Sequence, residues 1–546
     1  MPGLERAGVV LLLLAALVPR MRDVGADFDR ELEGFQGAFF AGSAVNYERF
    51  GVLVRGGYPV LGPDHGSSPT ATTVYANHPP TVALVAWAAL KVLGPDGWQD
   101  GWKEGLPPEG VEPPLRLPFL AFHLLGLFAF WWALRQASGP RLALLGLAIL
   151  CVLPVSALYG TLVNYENPSL AFVLLGCGFH ARFLRSGRGR DLAGLGLSFL
   201  AAGAVTYAPL FFVPPLVLQY AQRRLWRRGL RAGATMSGGV LAPLIFHGIW
   251  VRIWLPEHAG SVWTRGRHLI EPLFDGSAGS APLSEWAARQ WGRMELFFSE
   301  PILYAACAGL VVVAWSGLLR RTRDAGEVAP LSLAPPLFLG GFLMLLGFYR
   351  HTFDGPGPRE GQTVFLLNLA PACAVLAAHL LDALAPALYR LKGGIAPLVV
   401  ATGLIGMPGL ARLDTLRNEW RAPGPRDDPA LEHGPPAPLP RTVGDEIRAL
   451  LPAGAIGLHP IGLDFTAATS FYAWRTLLPV SPKTLGDALG RLKAMGLKKR
   501  DRYLLLPKDP PDPVREQVDE MRARALLAGM HEPAAEDEHW ELWPLQ

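Results

Sequence analysis

The sequence predicts a polytopic α-helical membrane protein that ends in a small α/β domain. The 546-residue chain is 50% hydrophobic and has a mean hydropathy of +0.25. Its apolar residues fall in runs whose length is typical of transmembrane helices. After residue 411 these runs stop, and short strand-like and helix-like segments alternate instead. Such alternation favours a small α/β domain.

We expect about eleven transmembrane helices, which form a membrane domain of residues 1–411. The first is Gly8 to Val18. We interpret it as a helix rather than a signal peptide, because Pro19-Arg20-Met21-Arg22 follows it in place of a small-residue cleavage site. The other predicted spans are Leu115–Leu134, Leu142–Gly160, Pro168–Leu184, Leu192–Val205, Tyr207–Ala221, Gly233–Val251, Ile302–Leu319, Leu331–Phe348, Thr363–Leu381 and Ile395–Ala411.

Five short basic loops predict how the chain is oriented. Two predicted spans separate each loop from the next, and short loops rich in Lys and Arg stay cytoplasmic. We therefore expect a protein of the cytoplasmic (plasma) membrane with its N-terminus inside and its C-terminus outside. The basic residues of these loops are Arg135 and Arg141; Arg182, Arg185, Arg188 and Arg190; Arg223, Arg224, Arg227, Arg228 and Arg231; Arg320, Arg321 and Arg323; and Arg390 and Lys392.

The apolar segment Pro79–Gly94 is not counted as a span. It has only 16 residues, it contains Lys91, and counting it would invert every later basic loop. We expect a re-entrant or juxtamembrane helix within a first outside loop of residues 23–114. The two short spans between the second and third basic loops predict a hairpin that turns near Thr206 and forms the floor of an outward cavity.

Residues 412–441 are rich in proline and charge and predict a linker to an extracytoplasmic α/β domain of residues 442–546. This domain has no glycine-rich phosphate loop and no metal-ligand cluster in its sequence. We therefore interpret it as a scaffold or an acceptor-contacting module rather than a second catalytic domain. Its predicted strands are Ala455–Leu458, Leu477–Val480 and Tyr503–Leu506, and its predicted helices are Phe465–Trp474, Leu485–Met495 and Val514–Leu527.

Composition weighs against several classes of function. All four cysteines lie in apolar segments without metal-ligand spacing, so neither a disulfide framework nor a cysteine zinc site is predicted. The net charge is only +4, and no nucleic-acid partner is predicted. His123 and His247 are the only ionisable residues well within predicted spans, and the sequence shows no internal repeat. Both observations count against an ion-coupled transporter.

Carboxylates on the predicted outward loops are the candidate catalytic groups. Near an apolar surface the pKa of a carboxylate rises towards neutrality, so the group can act as a general base or, with a neighbour, hold a divalent cation. In the loop Asn164-Tyr165-Glu166-Asn167, helix capping accounts for Asn167 but leaves Glu166 unexplained. The other candidate carboxylates form an acidic cluster at the start of the first outside loop. For these the alternative to a catalytic role is that they are simply solvated loop residues. The cluster consists of Asp27, Asp29, Glu31 and Glu33.

Cationic side chains at predicted outer helix ends are candidate phosphate ligands. His78 begins the helix of Pro79–Gly94, and the alternative role is packing against Tyr75. Arg116 either snorkels to the surface or, if it faces a cavity, suits a lipid-linked phosphate. At another outer helix end, Arg350 and His351 are positioned for an anion.

Four motifs follow one another in the first part of the chain, after the acidic start of the first outside loop. They are Ala44-Val45-Asn46-Tyr47-Glu48-Arg49-Phe50-Gly51, Asn77-His78-Pro79-Pro80, Arg116-Leu117-Pro118 and Asn164-Tyr165-Glu166. In this order and spacing they resemble the GT-C superfamily of membrane glycosyltransferases. The likeness is to the branch that holds protein O-mannosyltransferases, bacterial aminoarabinose transferases and the lipopolysaccharide glycosyltransferases of rhizobia. It covers residues 8–220 well and the later spans loosely.

The resemblance implies a hexosyl- or pentosyltransferase that moves a sugar from a polyprenyl-phosphate donor to a lipid, glycan or protein acceptor on the outer face of the membrane. It implies that Glu31 or Glu33 is the general base and that Glu166 supports the base or the acceptor. It implies that Arg116 and His351 lie near the lipid phosphate. Further expected substrate-binding residues are His78, Asn164 and Arg350. Metal dependence varies in the superfamily, so a divalent metal stays possible.

The chain departs from the pattern of this branch at two positions, of which Thr81 in place of leucine after Pro79-Pro80 is the smaller change. Where the aminoarabinose branch carries its first-loop acid, this sequence has Gln36, and Glu33 lies about one turn earlier. The choice of base therefore stays open. Two other classes of function also stay open: a transporter or flippase for a lipid-linked glycan, and a non-catalytic envelope protein whose tail binds a partner.

Overall fold

The computed structural model covers the helical part of the chain and much of the C-terminal part. It describes residues 2–28, 32–54, 56–59, 74–98, 109–256, 283–321, 332–347, 363–390, 402–403, 406–413, 440–452, 455–460, 476–485, 489, 502–508, 510, 512–527, 532–537 and 539–545.

Most of the described residues up to 390 lie in helices. The helices are α1 (Pro2–Val24), α2 (Leu32–Phe50), α3 (Thr81–Leu93), α4 (Glu112–Ser138), α5 (Pro140–Val152), α6 (Pro154–Leu158), α7 (Glu166–Ser186), α8 (Gly189–Gly203), α9 (Val213–Gln222), α10 (Trp226–Trp254), α11 (Leu283–Phe298), α12 (Glu300–Arg321), α13 (Ala334–Gly347) and α14 (Ala370–Arg390). Short 3₁₀ turns occupy Tyr159–Thr161, Ala208–Phe212 and Thr363–Asn368.

Two of the described helices, α4 and α10, are long and apolar enough to cross a membrane unbroken. The number rises to four if each of two bent helix pairs counts as one span. The first pair bends by 66° between Val152 and Pro154, where the proline lacks the N–H that a continuous helix needs. The second bends by 115° near Ser299, whose φ is +62°. The total of about eleven spans stays a prediction.

The segment Pro79–Gly94 contains α3, which has 13 residues and is therefore only about 20 Å long. A helix of that length does not cross a membrane. The predicted hairpin is formed by α8 and α9, with its turn at residues 204–207, and Thr206 within this turn is buried. The Thr81 hydroxyl donates a hydrogen bond to the carbonyl oxygen of Ala204, so α3 is fixed against the tip of the hairpin.

Among the described residues of the helical part, apolar side chains form one large cluster and two smaller ones, of which the smallest joins Tyr58 and Val74 to Val251 of α10. The large cluster joins residues of α4 to α10 with residues of α12 to α14. The second cluster packs α2 and α3 against the beginning of α4 and against the turn before α7. The described parts of residues 23–114 are thus folded onto the helices rather than extended away from them.

The C-terminal part contains a five-stranded sheet of order β2-β1-β3-β5-β4. Strands β1, β2 and β3 are parallel, whereas β5 runs antiparallel to both β3 and β4. Side chains of α16, including Val518 and Met521, cover the sheet at Leu458 and Leu504. The elements are α15 (Pro440–Leu450), β1 (Ile456–Pro460), β2 (Thr476–Val480), β3 (Arg502–Pro507), α16 (Asp512–Leu527), β4 (Ala535–Glu536) and β5 (Trp540–Pro544).

The first three strands and α16 lie within a few residues of their predicted positions. Strands β4 and β5 were not predicted from the sequence. The predicted helix Phe465–Trp474 and most of the predicted helix Leu485–Met495 lie outside the described residues. The outward placement of this domain stays a prediction.

Candidate functional site

The second apolar cluster brings together the motifs that the sequence analysis singled out. It contains Phe40 of α2, Val82 of α3, Leu115 of α4, Tyr165 of the turn before α7 and Val205 at the hairpin tip. Ring contacts tie these segments further, since Phe40 and Tyr165 meet edge to face at 5.8 Å between centroids. Segments that are far apart in sequence therefore share one buried surface, and polar side chains lie along its edge.

His78 lies in a stack of aromatic rings at this edge. Its ring centroid is 4.2 Å from that of Tyr165 and 5.4 Å from that of Tyr207, with which it is nearly parallel. Tyr75 lies 6.1 Å away, and the Oγ1 atom of Thr206 is 3.4 Å from Nδ1. The imidazole is thus held by the first outside loop, the turn before α7 and the hairpin tip at once, and it is partly exposed.

Arg116 is buried at the start of α4 and holds the segment that follows α1. Its guanidinium donates hydrogen bonds to the carbonyl oxygens of Val24 at 3.2 Å, of Ala26, and of Asp27 at 3.4 Å. It also lies 5.3 Å from the centre of the Phe28 ring. These contacts fix the chain just before the acidic cluster. The predicted contact of Arg116 with a lipid phosphate stays a prediction.

The turn before α7 positions Glu166. The helix begins at Glu166, so the prediction that Asn167 is its N-cap is wrong. Asn167 instead uses its side chain to donate to the carbonyl oxygen of Tyr159 at 2.6 Å. Asn164 takes part in the capping, because its Oδ1 accepts from the backbone N–H of Asn167 at 3.4 Å. Pro168 is tolerated because N–H groups of a first helical turn have no partner within the helix.

Glu166 is the described carboxylate of this site whose properties are most altered. One of its oxygens, Oε2, is enclosed and has no hydrogen-bond partner among the described residues. Burial raises the pKa of Glu166 to about 7, although its hydrogen bond to backbone opposes the shift. Glu166 precedes the predicted span that starts at Pro168. A carboxylate with a pKa near the working pH is suited to accept a proton from a hydroxyl.

A chain of buried polar groups lies behind Glu166. The Oδ1 atom of Asn167 is 3.3 Å from Nδ1 of His123, and Nε2 of His123 is 3.4 Å from the Ser156 hydroxyl. Arg20 in turn donates to that hydroxyl at 3.0 Å and to the carbonyl oxygen of Ala16 at 2.6 Å. A cavity of about 20 Å³ is lined by His123, Ser156 and Asn167, which is room for one water molecule.

Arg20 and Glu48 were not predicted as residues of the site. Arg20 is fully buried, although its position after an apolar run suggested a flank of the first span. Glu48 ties α2 to α3, because it accepts hydrogen bonds from Trp87 Nε1 at 2.5 Å and from Lys91 Nζ at 2.8 Å. Burial raises the pKa of Glu48, but these two bonds outweigh it and leave the pKa below its ordinary value. A lysine within an apolar helix is the signal that predicts such a partner.

Several predicted site residues lie outside the described part of the structure. Glu33 is in the first turn of α2, but its side chain is outside that part. Gln36 occupies the position at which the aminoarabinose branch has its first-loop acid. Its Oε1 atom is enclosed and has no hydrogen-bond partner among the described residues. No group of three metal-ligating side chains occurs among the described residues. The residues wholly outside them are Glu31, Arg350 and His351.

Comparison with known proteins decides the fold. A model of the dolichyl-phosphate-mannose-protein mannosyltransferase family matches residues 109–250. The structure of ArnT from Cupriavidus metallidurans bound to undecaprenyl phosphate aligns with a TM-score of 0.59 at 14% identity, over 98% of this chain and 97% of ArnT. The chain has the GT-C fold. The predicted helical, multi-pass membrane fold is thereby confirmed.

Further GT-C structures agree. The archaeal oligosaccharyltransferase AglB from Archaeoglobus fulgidus, in complex with an inhibitory peptide and a dolichol-phosphate, aligns with a TM-score of 0.54 at 11% identity. The alignment covers 99% of this chain and 74% of AglB. An A. fulgidus oligosaccharyltransferase tethered to an acceptor peptide also gives 0.54 at 11% identity, over 92% and 69% of the two chains. No curated protein matches this sequence.

Proposed function

We propose that this protein transfers a sugar from a polyprenyl-phosphate donor to a lipid, glycan or protein acceptor on the outer face of the cytoplasmic membrane. The observation that carries the proposal is Glu166, a carboxylate with an enclosed oxygen and a raised pKa, beside the edge at which His78 stacks on Tyr165. The GT-C fold supports it, as do the undecaprenyl phosphate bound to ArnT and the dolichol-phosphate bound to AglB.

The proposed reaction is a displacement at the anomeric carbon of the sugar. A nucleophilic atom of the acceptor forms a bond to that carbon, and the bond between that carbon and the phosphate oxygen breaks. The polyprenyl phosphate leaves with the electron pair, and the proton of the acceptor passes to a carboxylate. Since a phosphate leaving group is already a stable anion, the protein needs cationic or hydrogen-bonding partners for it more than a general acid.

The carboxylate that takes the proton is either Glu166 or one of the first-loop acids, Glu31 and Glu33. The resemblance favours a first-loop acid as base with Glu166 as its support. The raised pKa of Glu166 favours Glu166 itself. Separate substitutions distinguish the two assignments, because only loss of the base removes the acidic limb of the pH–rate profile.

The phosphate and the sugar need donors, and two described side chains qualify. His78 is partly exposed at the edge of the aromatic stack, so its ring can meet an anion. The Nδ2 group of Asn164 is enclosed without a partner among the described residues, so it can donate to a ligand oxygen. Arg350 and His351 complete the proposed set, and Arg116 fixes the loop that carries the first acids.

The proposal is tested by sugar transfer in membranes with a defined polyprenyl-phosphate-sugar donor. We expect the triple variant Glu31→Gln, Glu33→Gln and Glu166→Gln to lose transfer while it is expressed and folded normally. The matched control removes three exposed carboxylates elsewhere, by Asp96→Asn, Glu109→Gln and Glu285→Gln. Full activity of the first triple variant would refute the assignment. Movement of the lipid-linked sugar across the membrane without transfer would favour a flippase instead.

A further inference from the structure

Two arginine-rich turns lie side by side at the end of the molecule opposite to Glu166 along α7. The first joins α7 to α8, and the second joins α9 to α10. Arg228, just after the second turn in α10, donates to the carbonyl oxygen of Leu184, just before the first turn in α7, at 3.2 Å. Its guanidinium carbon lies only 3.0 Å from the point where a Cβ atom on Gly187 would be. Burial and then the nearby positive charge of Arg185 lower the pKa of Arg223, which also indicates that the turns meet.

The first turns of α8 and α10 open onto this same surface, because the two helices pack in parallel. Gly196 of α8 lies against Thr235 of α10, and further along both chains Gly203 lies against Val240. A Cβ atom on Gly203 would be 2.6 Å from Cα of Val240, so the glycine is what allows the close approach. Helix N-termini attract anions through their free N–H groups. Here the N-termini of α8 and α10 add their partial positive charge to that of the arginines.

The positive charge of these turns is little compensated within the described residues. Asp191, the acidic residue in these turns, is already engaged, with Arg182 at 2.9 Å and with the Ser186 hydroxyl at 2.6 Å. Among the described residues, no ion pair joins the remaining exposed arginines to a carboxylate. These exposed arginines are Arg185, Arg188, Arg190, Arg224, Arg227 and Arg231. Like charges held together at this density raise the free energy of the protein unless an anion lies among them.

Exposed apolar side chains border the same surface. Trp226 is 63% exposed and Leu230 is 73% exposed, and both lie in the first turns of α10 beside Arg227 and Arg231. Tryptophan at a helix end is typical of the interface between lipid headgroups and acyl chains. A soluble anion would meet the arginines but would leave the two apolar side chains in water.

We propose that this surface binds the phosphate headgroups of anionic phospholipids. The arginines and the two helix N-termini meet the phosphates, while Trp226 and Leu230 meet the acyl chains. We call it the arginine surface and define it by Arg185, Arg188, Arg190, Arg224, Arg227, Arg231, Trp226 and Leu230. Lipid bound there joins the ends of α7, α8 and α10 and stabilises their packing. The inference is independent of the proposed sugar transfer.

The test is a lipid titration of the purified full-length protein in detergent, read by thermal unfolding. We expect phosphatidylglycerol to raise the Tm saturably and phosphatidylcholine to leave it unchanged. The variant Arg185→Gln, Arg190→Gln and Arg227→Gln removes three exposed charges and is expected to bind phosphatidylglycerol roughly tenfold to a hundredfold more weakly. Its Tm without lipid should be at least that of the wild type, because these side chains make no described ion pair and their removal relieves repulsion between like charges.

A control variant removes three arginine charges elsewhere, by Arg6→Gln, Arg135→Gln and Arg141→Gln, and should keep the full lipid response. Because Arg135 and Arg141 pair with Glu5 and Asp382, its lipid response is measured relative to its own Tm without lipid. An equal loss in the control would overturn the proposal in favour of a general charge effect. A Tm rise with inorganic phosphate as large as that with lipid would overturn it in favour of a soluble anion. Trp226→Ala with Leu230→Ala gives a second variant that keeps every charge. An unchanged response of both variants would also refute the site.

Discussion

The two ends of α7 both carry charges without an ion-pair partner among the described residues, but in opposite settings. At the first turn, an oxygen of Glu166 is enclosed and has no hydrogen-bond partner among the described residues. At the last turn, Arg185 is exposed beside other arginines. Burial acts on the protonation of Glu166, whose pKa rises to about 7. Exposure leaves the arginine side chains accessible to an anion.

The contrast teaches what an unpaired charge indicates in a membrane protein. An enclosed carboxylate costs free energy when it ionises, so its retention favours proton chemistry at that point. Exposed charges of one sign cost less individually and favour attraction of a counter-charge instead. The first turn of α7 therefore belongs to a candidate reaction site, and the last turn belongs to a candidate binding surface.

The largest expected effect concerns Glu166 as a proton acceptor. Glu166→Gln keeps the shape of the side chain but cannot accept a proton, so we expect kcat/KM to fall by roughly 10²- to 10⁴-fold if Glu166 is the base. In the wild type the ionised form is the active one, so kcat/KM should fall as the pH drops below about 7. Initial rates between pH 5 and 9 check this. If the acidic limb of the pH–rate profile near pH 7 persists in Glu166→Gln, a first-loop acid is the base. The first turn of α7 would then not supply the catalytic base.

The next effect is on stability and has the opposite sign. The pKa of Glu166 is raised from 4.5 to about 7, so ionisation destabilises the folded state progressively between these values and by up to about 3 kcal/mol above them. Glu166→Gln should therefore unfold at a higher temperature than the wild type at pH 8 and at the same temperature at pH 4. Arg185→Gln, on the same helix, should show no such pH dependence. An equal Tm for Glu166→Gln and the wild type at pH 8 would mean that ionisation of Glu166 does not destabilise the folded state.

A smaller effect is expected from the polar chain behind Glu166. Asn167→Leu removes the hydrogen bond to the Tyr159 carbonyl and the contact with His123, and leaves both groups buried. We expect a loss of about 1–3 kcal/mol in the free energy of unfolding. Asn167→Asp, which keeps an acceptor for His123 but not the donor to Tyr159, should lose less if the His123 contact dominates. A wild-type Tm for Asn167→Leu would show that the chain does not support the turn.

The sequence predicted the features that depend on local pattern. Apolar runs predicted a helical membrane fold. Two apolar runs too short for ordinary spans predicted a hairpin with a turn near Thr206, and the chain does turn there. The sequence also predicted the strands β1 to β3, which are apolar runs bounded by turn residues. The order of four motifs indicated GT-C, and the structure adds that His78 and Tyr165 lie against each other.

Features that depend on contacts between distant segments could not be predicted. Arg20 meets Ser156, which is 136 positions away, and nothing near Arg20 in the sequence indicates that it is buried. β5 is short and contains Glu541, and it becomes a strand because it pairs with β3 along its whole length. The start of α7 was predicted two residues too late. Asn167 was taken as the N-cap, whereas the helix begins at Glu166 and Pro168 is its third residue.

The smallest expected effect concerns the ion pair of Glu48 and Lys91. Its partly buried setting is intermediate between the settings of the charges at the two ends of α7. Lys91 is 55% exposed and Glu48 is 18% exposed, so the pair is partly screened and Lys91→Ala should cost only about 0.2–1 kcal/mol at pH 7. The folded-state pKa of Glu48 is lowered, so the contribution is present above the unfolded pKa of 4.5 and is lost as the pH falls through the folded pKa. The difference in Tm between Lys91→Ala and the wild type should therefore vanish in acid and shrink in 1 M salt. A difference that is independent of pH and salt would show that α3 is held by its apolar face alone, and that charge matters in this molecule only where it is unpaired.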